Sequence, residues 1–93
     1  MKRKLSYINK GRSGYVVYED EGGPIKFFLE YGGGDCIVII YVPTVDEWTL
    51  KTNRKKEERE RILKFVAEQS LIDHASGASY KILDRFIEIY KPE

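Results

Sequence analysis

The chain is poor in the residue types that most often carry chemistry. Its 93 residues include one cysteine, one histidine, one tryptophan and one methionine. A single thiol excludes an intramolecular disulfide and any Cys-based zinc site within one chain. A reducing, cytoplasmic setting fits that usage. No run approaches the ~18 apolar residues of a membrane span. The basic start is followed by no apolar segment, so no signal peptide is expected. Acid-rich calcium loops, His-Glu zinc patterns and the signatures of nucleic-acid-binding modules are also absent.

What remains is a mixed, water-compatible composition, 42% apolar and 33% charged. It suits one globular domain over residues 1–93, with 1–3 and 91–93 frayed. A chain of this size hides roughly 60–65% of the surface its unfolded form exposes, so its stability margin is modest. The formal net charge of +1 hides an uneven spread. Residues 1–12 carry Lys2, Arg3, Lys4, Lys10 and Arg12 and no acid; residues 13–50 set Glu19, Asp20, Glu21, Glu30, Asp35, Asp46 and Glu47 against Lys26 alone. An acidic middle repels phosphate.

The pattern centres on Asp35 to Val42, nearly all apolar and β-branched, launched by Gly32-Gly33-Gly34 and stopped by Pro43. That reads as a strand. Both of its alternating sets are apolar, which places it inside a sheet with both faces shielded. Strands are also expected over Lys4–Ile8, Ser13–Glu19 and Ile25–Tyr31, with turns at Asn9-Lys10-Gly11 and over 20–23. Pro24 is tolerated at the start of its strand. A four-residue loop over 32–35 pairs Tyr31 with Cys36, Leu29 with Val38 and Phe27 with Ile40. One face is then Ile25, Phe27, Leu29, Tyr31, Cys36, Val38, Ile40 and Val42, a core layer. The other carries Phe28, Ile37, Ile39 and Tyr41, joined by Tyr15 and Val17, with Lys26 and Glu30 between; a one-residue slip would exchange the two.

Thr44 and Glu47 have capping-box spacing, with Trp48 in the short helical turn that follows, over the core edge. Asn53 is the expected N-cap of a main helix over Arg54–His74 that stops near Gly77. Its stripe is Ile62, Leu63, Phe65, Val66 and Ile72. Its first turns, held by Glu57–Arg61 and Glu60–Lys64, are expected to project into water. Ser79–Tyr90 fits a hairpin turning at Asp84-Arg85, which pairs Tyr80 with Ile89, Ile82 with Ile87, and Lys81 with Glu88. The fold class is α+β: an antiparallel β-meander of three to four strands, one long helix on one face and a C-terminal β-hairpin.

Few constellations invite chemistry. The glycines at 32–34 lead into a strand and an anion, so they suit a hairpin turn better than a phosphate cradle. Cys36 and His74 could form a nucleophilic pair, with Asp73 or Glu30 as orienter. Yet Cys36 falls on the core face, where a thiol acts as a small hydrophobe, and His74 complements a helix C-terminus. Asp46, Glu47 and the acids over 19–21 lack ligand spacing. No catalytic residue, metal or cofactor is therefore expected. The second sheet face, Tyr15, Val17, Phe28, Ile37, Ile39 and Tyr41, is the candidate site: a protein partner or self-association suits an aromatic patch of that extent. The plainer reading is that the N-terminal segment or the Trp48 turn folds over it. The alternative function is nucleic-acid binding through Lys2, Arg3, Lys4, Lys10 and Arg12, aided by the basic residues of 51–61. The overall pattern is consistent with many small bacterial domains, a likeness that transfers no functional residue.

Overall fold

A computed structural model describes residues 2–91. Six strands and two helices follow in the order β1 (Lys4–Lys10), β2 (Ser13–Asp20), β3 (Gly23–Tyr31), β4 (Cys36–Tyr41), α1 (Trp48–Thr52), α2 (Glu58–His74), β5 (Ser79–Ile82) and β6 (Phe86–Tyr90). The strands form one antiparallel sheet, ordered β1-β2-β3-β4-β6-β5. The meander has four strands, and the C-terminal hairpin completes the sheet through β6. Every strand alternates, and one set of side chains meets α2 and the α1 turn. Val16, Tyr18, Phe27, Leu29, Val38, Ile40, Ile87 and Ile89 from the sheet close on Trp48, Ile62, Leu63, Val66 and Ala67 from the helices. No helix among the described residues is long and apolar enough to cross a membrane.

The two outer hairpins have the expected registers. Glu19 lies opposite Pro24 and Tyr15 opposite Phe28; Tyr80 opposes Ile89, Lys81 opposes Glu88 and Ile82 opposes Ile87. The central hairpin differs. Tyr31 pairs with Val38 and Leu29 with Ile40, two residues beyond the expected partners. The hairpin closes one residue later than expected, with the Gly32 N–H donating to the Ile37 carbonyl at 2.9 Å; on the other edge of β4, Cys36 pairs with Tyr90, the register shifts before Val38, and the Lys91 N–H donates to the Asp35 carbonyl at 2.8 Å. A displacement by two preserves the faces. The bulge does move Cys36, which is half-buried rather than part of the core layer.

The helical region needs three corrections. Asn53 is not the N-cap of the main helix: it is the left-handed C-cap of α1, and α2 begins at Glu58. Asparagine tolerates that conformation as readily as it caps an N-terminus, so its identity alone does not choose. The helix start also does not project into water. Arg54 is buried, and Arg59 donates to the carbonyls of Pro43 and Asp84. In place of the expected pairs, Glu58 receives Arg54 at 3.4 Å and Arg61 at 3.3 Å. Finally, the buried stripe is Ile62, Leu63, Val66, Ala67 and Ser70; Phe65 is half-buried and Ile72 is 67% exposed.

Thr44 and Glu47 do exchange reciprocal hydrogen bonds at 3.2 Å, shaping the turn that delivers Trp48. The indole stacks on Phe27 with ring centroids 6.5 Å apart and donates to the Lys55 carbonyl at 3.0 Å. Of the segments expected to fray, Arg3 lies over the Phe65 ring at 5.3 Å and Lys91 is bonded as above. Residues 1, 92 and 93 lie outside the described residues.

Candidate functional site

The site is the sheet face turned away from the helices. Strand pairing dictates what it displays. Ile8 lies opposite Tyr15, and Tyr15 opposite Phe28. The Tyr15 and Phe28 rings meet edge to face at 5.6 Å, and the Phe28 and Tyr41 rings at 5.7 Å. Tyr41 lies opposite Phe86, whose carbonyl accepts the Leu83 N–H at 2.8 Å across the last turn. The result is one apolar stripe perpendicular to the strands, crossing β1, β2, β3, β4 and β6 and ending at Leu83, the residue after β5. Ile8, Tyr41 and Leu83 are each 40% exposed and Phe28 is 39% exposed. Side chains on this row lean on their neighbours, and no element among the described residues covers them.

The neighbouring row is Lys10, Ser13, Glu30, Ile39, Glu88 and Lys81 by the same pairings, polar or charged at every position but Ile39. Lys26 flanks the stripe on its other side, with its ammonium 4.4 Å from the centre of the Tyr15 ring. The Tyr41 hydroxyl donates to Glu30 at 2.6 Å, and that bond raises the energy of removing the phenolic proton. The β3–β4 ladder ends at Leu29 and Ile40. Beyond it the strands part around a cavity of about 270 Å³ lined by Lys26, Phe28, Tyr41, Pro43 and Lys51.

Of the residues singled out from sequence, Tyr15, Val17, Phe28, Ile39 and Tyr41 share this face by strand alternation. Ile37 sits in the β4 bulge and packs against the edge of the core. Neither expected cover is in place: the N-terminal segment is the edge strand β1, and Trp48 is buried on the opposite side against Phe27. Sequence reasoning missed Ile8, Leu83 and Phe86. The turn expected over Asn9-Lys10-Gly11 lies instead at Gly11-Arg12, and it sets Ile8 opposite Tyr15; the turn at Asp84-Arg85, as expected, brings Leu83 beside Phe86.

The basic residues do not converge. Arg3 faces the helix side over Phe65, and Lys4 pairs with Glu19 at 3.8 Å. Lys10 and Arg12 belong to the other end of β1, about 20 Å away along a strand; Lys2 is exposed before it. In the helix region Arg54, Arg59 and Arg61 are already engaged by Asp20, Pro43, Asp84 and Glu58.

Among the described residues no hydrogen bond joins Cys36 to His74. The thiol approaches the Val38 carbonyl at 3.9 Å, and burial, then the Glu88 charge, push its ionisation up, away from nucleophilic character. His74 is held edge-on by Tyr7 at 4.5 Å and Tyr31 at 5.9 Å, while Asp73, the supposed orienter, accepts from Tyr7 at 2.6 Å instead. Among the described residues no group of three or more His, Cys, Asp or Glu side chains could hold a metal ion. The glycines at 32–34 lie in the β3–β4 loop, away from any helix start. Compared with protein-family models, with curated proteins and with solved structures, the chain matches none.

Proposed function

We propose that the protein is a small cytoplasmic protein-interaction module that works through its open sheet face. The observation that carries this reading is the stripe from Ile8 to Leu83, an apolar row that crosses five strands, ends just past β5 and is left in contact with solvent. Soluble domains rarely leave so continuous a patch bare unless something docks on it. Its aromatic content and its margin of Lys26, Glu30, Glu88 and Lys81 match the composition of interfaces, an apolar centre with a polar rim. One free thiol and the absence of disulfide pairing suit a reducing compartment. Nucleic-acid binding has less support, because the basic side chains are dispersed or already paired. No catalytic role is proposed.

Ile39→Lys tests the reading. Ile39 is half-buried between Glu30 and Glu88, so a lysine there finds compensating charge and the fold is expected to persist. In amide NMR spectra of labelled protein mixed with cell lysate, the stripe residues should shift in the wild type and stay unmoved in the variant. Unfolding of the variant, or shifts located elsewhere, would place the functional surface off this face.

A further inference from the structure

We propose, building on the reading of the open face as a docking surface, that its partner is a second copy of this chain. The two copies sit face to face about a two-fold axis that runs along the aromatic stripe. Such an axis sets each stripe residue against its own counterpart and carries the row on one side of the stripe over the row on the other.

The charges on the face fit that rotation. Lys26 and Glu30 lie on β3, two residues to either side of Phe28, and both are exposed. The rotation places Lys26 against Glu30 of the partner subunit, and Glu30 against the partner's Lys26. A two-fold parallel to the strands through β3 would instead oppose Lys26 to its own counterpart and Glu30 to its own. Because β3 is the third of six strands, the usual angle of about 30° between packed sheets displaces this pair least.

Shape agrees with charge. The cavity where β3 and β4 part lies beside Phe28, on the Lys26 side of the stripe. The same rotation brings Ile39 of the partner subunit over that opening, with the partner's Glu30 next to Lys26 and Lys51. Two copies therefore offer a knob and a hole to each other twice. Six strands at about 4.8 Å spacing and three rows of side chains give a footprint of roughly 500 Å² per copy. Close to 1,000 Å² in total is at the low end for specific interfaces, so the dimer is expected to dissociate on dilution.

Charge exchange gives the test, read by sedimentation at low salt over a wide concentration range. Wild type should pass from monomer to dimer. Lys26→Glu and Glu30→Lys should each associate at least tenfold more weakly, since each opposes like charges twice. An equimolar mixture of these two variants should recover dimer, because only the mixed pair restores both contacts, and the double exchange in one chain should recover it too. Circular dichroism confirms that each variant is folded. Independently of any substitution, isotope-filtered NMR of mixed labelled and unlabelled wild type should connect the Phe28 ring to Phe28 of the partner subunit. Single variants that associate like wild type, or a mixture that stays monomeric, would overturn the axis. Wild type that stays monomeric while the stripe amides still shift in lysate would overturn the second-copy assignment and leave the docking surface standing. Stripe amides unmoved in lysate and in concentrated protein would remove both.

Discussion

Phe27 and Phe28 are neighbours in the chain and identical in composition, yet they live on opposite sides of one sheet. Phe27 is 2% exposed, stacked on Trp48 beneath the helices, whereas Phe28 is 39% exposed between Tyr15 and Tyr41. The two faces use similar apolar residues, so apolarity does not decide which becomes the core. Cover decides. This chain has one long helix, and its buried stripe is spent on the side that carries Val16, Leu29, Val38 and Ile40. The other side keeps its aromatics but sets charges beside them: Lys26, Glu30, Glu88 and Lys81. Charges on an open sheet discourage indiscriminate pairing while leaving a selective partner room to dock.

The sharpest way to break that comparison is to truncate the two rings in turn. Phe27→Ala should cost about 4 kcal/mol, the usual figure for emptying a buried aromatic site. Phe28→Ala should cost less than about 1 kcal/mol, because its ring is already partly solvated and its removal leaves no closed cavity. Urea unfolding of the two variants checks both figures. Equal losses would mean that the second face is covered in solution.

Next in size is the polar clamp at the edge of the covered side. Arg54 reaches Asp20 with Nη2 at 2.7 Å and Nη1 at 3.1 Å, and both side chains are almost fully buried. It also donates to the Gly23 carbonyl at 2.7 Å, while a Cβ on Gly22 would lie 2.7 Å from its guanidinium carbon. The pair thereby ties the β2–β3 turn to the link between α1 and α2. Asp20→Asn leaves the buried guanidinium with Glu58, at 3.4 Å, as its one remaining counter-charge among the described residues and should cost about 2 kcal/mol. Arg54 holds the Asp20 carboxyl well below the usual carboxylate range. A depressed carboxylate contributes stability that is present above its unfolded value, near 4, and is lost as the pH falls toward the folded one. The gap between wild type and Asp20→Asn should therefore narrow below about pH 4, as urea melts at pH 7 and pH 3 would reveal.

How much of this was legible in the sequence depends on how local each cause is. The hairpin over 79–90 could be read because Lys81 and Glu88 fix its register across a short turn. Tyr15, Phe28 and Tyr41 could be assigned to one face by alternation alone. The β3–β4 register could not: three consecutive glycines accept many loop shapes, and the hairpin closes between Gly32 and Ile37 rather than between Tyr31 and Cys36. The bond between Arg54 and Asp20 joins residues 34 apart, and no local pattern announces it. Extending the stripe to Phe86 and Leu83 required knowing that β6 lies beside β4, a fact of sheet order, and Ile8 required the turn at Gly11-Arg12. Asn53 suits either end of a helix, and its left-handed backbone, bonded back to the Thr49 carbonyl, is what makes it the end of α1.

The smallest expected effect sharpens the comparison most finely, because it holds the chemistry constant and varies only the side of the sheet. Tyr18 donates to Asp20 at 2.7 Å on the covered side; Tyr41 donates to Glu30 at 2.6 Å on the open one. Removing a buried hydrogen bond to a charged acceptor costs about 1–2 kcal/mol, and Asp20 keeps its other donors, so Tyr18→Phe should fall near 1 kcal/mol. Tyr41→Phe should leave stability within about 0.5 kcal/mol, since water replaces the lost donor at Glu30. Alkaline titration separates them further. Burial, then the bond to Asp20, push the Tyr18 phenol up to about 12. A phenol raised above its unfolded value near 10 adds stability that is complete below that value and disappears as the pH climbs through the folded one. Wild type should thus lose stability between about pH 10 and pH 12 through this group. Tyr18→Phe should lack that part of the decline and Tyr41→Phe should retain it. Matching alkaline profiles for the two variants would mean that the environments of the two faces do not differ as their burial implies.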